Sequence, residues 1–153
     1  MNYIKLQQDI LKARDAEDKR GKRSPFMYGL KENSVCICVN SCCIVAIPRV
    51  YWYLDNEKVF STTPLKLDNM FKIKEEYTVP VYDIGLIRTL PDGRKVREFN
   101  GDKFNVYLAE DNLKYFGKDV TEYRAINEKS PVYLYEYNSL VGIVCPVYMN
   151  IAS

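Results

Sequence analysis

Cys36, Cys38, Cys42 and Cys43 fall within one short stretch, the only place in the chain where nucleophilic or metal-ligating side chains crowd together. Thiolates bind soft metals and attack electrophiles, so two chemistries are open to them. With Asn40-Ser41 as a tight hairpin turn, Val39 pairs with Cys42 and Cys38 with Cys43. Strand alternation then puts Cys36, Cys38 and Cys43 on one face and Cys42 on the other. Three thiols on a face begin a zinc site, but a fourth ligand and the usual knuckle spacing are missing, so no metal and no other cofactor is expected. As nucleophiles they lack a base, because the chain has no histidine. That absence removes Ser-His-Asp triads, Cys-His pairs and imidazole ligands together. The spacing favours small buried hydrophobes, with a small cysteine-dependent enzyme using Cys42 or Cys43 as the alternative.

Paired carboxylates at Glu75-Glu76, Asp55/Glu57 and Glu110-Asp111 lie in polar stretches and read as solvated charge. Gly85, Gly93, Gly101 and Gly117 are scattered as turn and cap residues, so no loop cradles a phosphate. Two other sets suit binding better. Lys5, Lys12 and Lys19 line one edge of the first predicted helix, and Arg20, Lys22 and Arg23 continue the basic run at its exit. Such a stripe can face phosphates, although a charged stripe is more often a solvated face. Arg49 followed by Tyr51-Trp52-Tyr53 joins arginine to aromatic rings, the residue types enriched in interface hot spots. The competing reading is a strand that packs these rings into the core.

The elements that must position these residues follow from periodicity. Asn2 is a suitable N-cap for a helix running to about Arg20, with Tyr3, Ile4, Leu6, Ile10 and Leu11 on a broad apolar side. Three strands follow: Phe26–Leu30, then a hairpin over Asn40-Ser41. Residues 49–92 form a connector, either an edge hairpin or an insertion covering the sheet. The Pro91-Asp92-Gly93 turn joins a strand Ile84–Leu90 to a strand Arg94–Asn100. A second helix is expected over Asn105–Phe116, then strands Thr121–Asn127, Val132–Tyr137 and Leu140–Met149.

These elements repeat. Residues 2–48 and 105–146 both read as a helix followed by three strands; a single one-residue gap sets Asn40-Ser41 over Asn138-Ser139 and Pro48 over Pro146. An internal repeat constrains a fold more than any one motif. The expected architecture is α+β, a single domain over 1–153 built from duplicated αβββ units. The first occupies 2–48; the second, with its leading strand, is βαβββ over 93–149. Both helices pack on one face of antiparallel sheets.

The second unit carries a family likeness. Asp111-Asn112-Leu113-Lys114-Tyr115-Phe116, Lys129-Ser130-Pro131-Val132-Tyr133-Leu134-Tyr135 and Val141-Gly142-Ile143-Val144-Cys145-Pro146-Val147 resemble the end of a bacterial DNA sliding-clamp domain. In such a domain a helix precedes a hairpin finishing in an apolar strand and a proline. The resemblance implies a single-domain, non-catalytic clamp-like binding module, an accessory to DNA or to replication proteins of a bacterium, phage or mobile element. Its implied partners are itself, as a homo-oligomer, a replication-type protein, or DNA held weakly. A structural subunit of a homo-oligomer is a further alternative. In that family the helices carry lysine and arginine toward phosphates. Here residues 1–23 hold seven basic against four acidic residues, while residues 102–122 hold three against five, so only the first helix complies.

Bulk properties narrow the setting. With 153 residues, 47% hydrophobic and 27% charged, the composition is that of a soluble globular domain. A net charge of +2 advertises no strongly acidic partner. No run of 18 apolar residues occurs, so no membrane partner is expected. The first residues lack a secretory pattern, and five cysteines suit a reducing cytoplasm, the expected location. Thirteen tyrosines against one tryptophan suit half-buried strand positions.

Overall fold

The computed structural model of the chain describes residues 1–19, 27–31, 33–40, 42–54 and 75–149. The chain divides into two compact units, Met1–Ile73 and Lys74–Ser153. The division falls inside the stretch expected to be a connector. The fold is α+β, and the strands within each unit pair antiparallel.

In the first unit, α1 spans Tyr3–Lys19. Asn2 caps it, its Oδ1 accepting a hydrogen bond from the Lys5 backbone N–H at 3.0 Å. Leu6, Gln7 and Ile10 form its buried stripe. Strands β1 (Met27–Lys31), β2 (Ser34–Asn40) and β3 (Cys43–Pro48) follow as an antiparallel meander. Val35–Val39 and Cys43–Ile47 are buried without alternation. Both faces of β2 and β3 are therefore covered, which explains their nearly unbroken apolar sequence.

The hairpin register differs from the expected one. Asn40 lies opposite Cys43 and Cys38 opposite Ile44, with an irregularity between Cys38 and Asn40. The Asn40 Oδ1 accepts from the Cys42 backbone N–H at 2.7 Å, so the asparagine ends its strand and closes an Asx-type turn after itself. Cys36 pairs with Ala46 and Cys38 with Ile44; Cys43, one residue from Ile44, thus leaves the face of the other two. The expected three-thiol face does not form.

A single buried glutamine fastens α1 to the segment after β3. Gln7 Nε2 donates to the carbonyl oxygens of Tyr3 at 3.0 Å and Tyr51 at 2.8 Å. Its Oε1 accepts from the Tyr53 backbone N–H at 3.0 Å. The whole amide is used, which is what allows a polar side chain to be 0% exposed.

In the second unit the strands are β4 (Val79–Thr89), β5 (Lys95–Asn100), β6 (Asn105–Ala109), β7 (Glu122–Ala125), β8 (Val132–Glu136) and β9 (Ser139–Val144). Their spatial order within the unit is β9-β8-β7-β4-β5-β6. The short α2 (Glu110–Leu113) lies between β6 and β7. The expected helix over Asn105–Phe116 is thus mostly something else: its first five residues are a strand paired with β5 from Val96↔Ala109 to Asn100↔Asn105. Val106, Tyr107 and Leu108 are all buried. A β-branched and aromatic run gains more from a pleated, two-sided burial than from one helical face.

Pro91-Asp92-Gly93 turns as expected. Gly93 has φ +89, its N–H reaches the Leu90 carbonyl oxygen at 2.9 Å, and the Leu90 N–H reaches that of Arg94 at 2.8 Å. The β8–β9 turn uses Tyr137 and Asn138 at φ 46 and φ 70, the mirror-image turn that suits twisted strands. Asn138 sits inside its turn, whereas Asn40 precedes its own. The core of this unit gathers Val81, Val96, Phe99, Leu108, Phe116 and Leu134.

Replacing Gln7 with leucine keeps the volume but leaves three hydrogen bonds unmade. Urea unfolding followed by circular dichroism should register a loss of about 2 kcal/mol. An unchanged midpoint would mean that the apolar stripe alone holds α1.

Candidate functional site

The aromatic stretch singled out from the sequence is neither a strand nor core. Arg49–Tyr51 form one 3-10 turn after Pro48. Arg49 is exposed, Tyr51 and Tyr53 are more than half exposed, and Trp52 between them is half-buried. The Tyr51 ring stacks on Tyr3 with centroids 5.2 Å apart and planes 17° from parallel. Tyr53 Oη donates to the Ile4 carbonyl oxygen at 3.5 Å. With Ile4 and Val50 also exposed, the start of α1 and this turn make one aromatic and aliphatic patch. Gln7 sets its geometry from beneath, so the patch is preorganised and loses little entropy on contact.

The basic stripe is described in part. Lys5 Nζ pairs with Asp9 Oδ2 at 3.3 Å, four residues along the helix, and Arg14 lies 3.8 Å from Asp15. Lys12 is exposed. Lys19 is the last residue of α1; Arg20, Lys22 and Arg23 lie outside the described residues.

The cysteines divide by exposure. Cys36, Cys38 and Cys43 are buried, Cys42 is exposed and Cys145 half-buried. Burial pushes the Cys38 thiol above its ordinary range, which keeps it protonated and unreactive. Among the described residues no group of three or more Cys, Asp or Glu side chains is placed to hold a metal ion. No helix among them is long and apolar enough to cross a membrane.

The second unit holds the charged constellation that sequence reading passed over. Arg97 on β5 donates from Nε to Glu110 Oε1 at 2.7 Å and from Nη1 to Asp83 Oδ2 at 3.1 Å. Asp83 comes from β4 and Glu110 from the start of α2, so one guanidinium ties three segments together. Glu110, read as solvated charge, is half-buried and ion-paired. Asp83 Oδ1 also accepts from the Gly85 backbone N–H at 2.9 Å. Beside them the Tyr123 ring tilts 46° against Phe99 at 4.6 Å. A second pair lies further along the same hairpin. Arg88 Nη2 meets Glu98 Oε1 at 3.0 Å, and Glu98 is only 5% exposed opposite Tyr107.

Three phenols are pushed above the ordinary 10.0. Burial is the first cause in each; the Glu98 carboxylate adds to it at Tyr107, the Asp83 charge at Tyr123, and Cys145 at Tyr133. The sequence signals only that partners are needed, not which: Arg97 and Glu98 sit mid-strand between the apolar Val96 and Phe99, where a charge needs a partner.

The other unexpected feature is β4. Val81 is 2% exposed, but every residue from Tyr82 to Thr89 is exposed. Tyr82, Ile84, Leu86 and Ile87 are 63%, 41%, 50% and 50% exposed. Pairing with β7 stops at Val81, so beyond it one edge of β4 has no strand partner among the described residues. The register to β5 slips between Asp83 and Ile87, leaving Ile84-Gly85-Leu86 as a bulge. Gly85, at φ +76, meets no atom within 4 Å of an added Cβ; its backbone angle, not space, requires glycine.

Comparison with known protein families, characterised proteins and solved structures finds no match to this chain.

Two measurements check this chemistry. Titration with an aromatic disulfide under native conditions should label Cys42 in a fast phase that Cys42→Ser removes, with Cys36, Cys38 and Cys43 labelling only on unfolding. A fast thiol among the buried three would contradict the burial described. For the phenols, a raised folded pKa means that the native state holds its proton more tightly than the unfolded chain. The stabilisation is complete below the ordinary value of 10.0 and lost as pH rises through the folded values. Ultraviolet titration of the wild type against Tyr107→Phe, Tyr123→Phe and Tyr133→Phe should assign late-ionising phenols to these three, together with alkaline loss of stability. Ionisation of all three at the ordinary pH would refute it.

Proposed function

We propose that this chain is a non-catalytic binding module acting through protein contacts, and that the exposed stretch of β4 makes them. The observation that carries this reading is the run of Tyr82, Ile84, Leu86 and Ile87 in open solvent along a strand edge. Four large apolar side chains grouped on one hairpin are an interaction surface or an aggregation hazard. The bulge argues for the former. It bends the edge and interrupts the even spacing that unlimited strand addition requires. Side chains, not backbone ladders, would then make the contact, and the simplest occupant is the same stretch of a second copy across a twofold axis.

A clamp-like reading accompanies this one. The order α1-β1-β2-β3 in the first unit and β6-α2-β7-β8-β9 in the second repeats an αβββ sequence of elements, which supports the duplicated architecture of the sliding-clamp resemblance. An accessory role beside DNA or a replication-type protein follows from that likeness alone. The Lys5–Asp9 pair makes protein a better partner than DNA.

Sedimentation velocity from roughly 1 to 100 µM spans the affinities of small interfaces. The wild-type chain should gain molar mass with concentration, and Leu86→Lys/Ile87→Lys should stay monomeric with an unchanged circular dichroism spectrum. A wild-type chain monomeric throughout would defeat the self-contact. Retention of duplex DNA at low salt by both proteins would favour the DNA-associated role instead.

A further inference from the structure

A cavity of about 550 Å³ opens in the second unit between Asp83, Arg97, Glu110, the turn after α2 and Tyr123. Its volume lies within the ~300–1,000 Å³ of small-molecule sites. The ion pairs described above leave its lining with an unbalanced stock of donors. Arg97 spends Nε on Glu110 and Nη1 on Asp83; Nη2, with two further N–H groups, has no acceptor among the described residues. The Tyr123 hydroxyl makes no hydrogen bond among them either, and it stays protonated because burial and the neighbouring carboxylates hold it above its ordinary range. Lys114 and Lys118 stand on the wall; Lys114 Nζ has only the Tyr115 ring, 5.4 Å away. Three cations face two carboxylates, and both carboxylates already accept from Arg97. The surplus is positive, and the vacant hydrogen-bonding capacity is donor capacity. Leu113 and Val120 complete the wall with apolar surface.

We propose that this cavity binds a small organic oxyanion, a phosphate or carboxylate carried on an apolar body. Lys114, Lys118 and Arg97 meet the charged group, the Tyr123 hydroxyl donates to it, and Leu113 and Val120 pack the body. Asp83 is the one wall residue that β4 supplies; the groups that meet the ligand, Arg97, Lys114, Lys118 and Tyr123, lie outside that strand, so ligand binding and a contact made by β4 can be tested separately.

Phenyl phosphate, benzoate and inorganic phosphate distinguish the headgroup from the body it rides on. Each is titrated into the full chain at low ionic strength, to about 10 mM, where a millimolar complex saturates, and followed by two-dimensional NMR. Saturable shifts should centre on residues 113–123, with phenyl phosphate or benzoate binding several-fold tighter than inorganic phosphate. The tighter of the two aromatic probes identifies the headgroup. Lys114→Glu/Lys118→Glu, at two exposed positions, should weaken binding about tenfold or more, roughly 1.4 kcal/mol. Tyr123→Phe, which removes only the hydroxyl, should weaken it several-fold. Absence of saturable shifts with all three probes would overturn the proposal, and so would affinities unchanged in both variants.

Discussion

The guanidinium of Arg97 is the constraint on which the second unit depends. It reaches Asp83 on β4 and Glu110 at the start of α2, fourteen and thirteen residues away in sequence. Charge-assisted hydrogen bonds of this kind stabilise by about 1.5–3 kcal/mol each where water is partly excluded. Arg97, Asp83 and Glu110 are partly exposed, so solvent screening brings the pairs toward the low end. Their larger effect is on geometry. Asp83, held by Arg97, also accepts from Gly85, and this fixes where β4 departs from its register with β5. The bulge that presents Ile84, Leu86 and Ile87 and the cavity wall at Glu110 therefore share one anchor.

The first unit reaches order by a different route. No ion pair among its described residues is buried; Lys5 and Asp9 are 70% and 41% exposed. Its specificity comes from Gln7, whose amide is saturated inside an otherwise apolar contact. The amide's three partners, the Tyr3 and Tyr51 carbonyl oxygens and the Tyr53 N–H, are met together in one placement of α1. Fully hydrogen-bonded polar groups at buried positions often fix one arrangement in this way. The cysteines of β2 and β3 fit the same setting. They supply small side chains where strands are covered on both faces, and burial that raises the Cys38 thiol removes it from chemistry.

Much of this was legible in the sequence, wherever a local rule decided the outcome. Asn2 before an apolar-periodic run gives the α1 cap, and Pro91-Asp92-Gly93 gives its turn, because cap and turn chemistry act over three or four residues. The strands β5, β7 and β8 fall near their expected bounds for the same reason, and β9 starts near its own but ends at Val144, short of the expected Met149. The failures share a cause too. Val106-Tyr107-Leu108 is short and apolar throughout, so its periodicity cannot separate strand from helix, and pairing with β5 decides. Asn40 and Asn138 look equivalent, yet one ends a strand and the other sits in a left-handed turn position. Asparagine suits both, and only the partner strand selects. Arg97 with Asp83 and Glu110 was invisible because pairing across strands is a property of register, which no local motif encodes.

The same constellation explains why charged residues in a cleft need not imply catalysis. A carboxylate acting as general base must be free to take a proton at working pH. Asp83 and Glu110 each accept from Arg97, so their oxygens are already engaged by a guanidinium. Tyr123 is shifted the other way, toward its neutral form, so it donates and does not abstract. A cleft whose carboxylates are engaged by a guanidinium and whose phenol is held as a donor has its hydrogen-bonding directions set before any ligand arrives. Such preorganisation suits recognition, where fixed donors meet a matching set of acceptors without reorganisation.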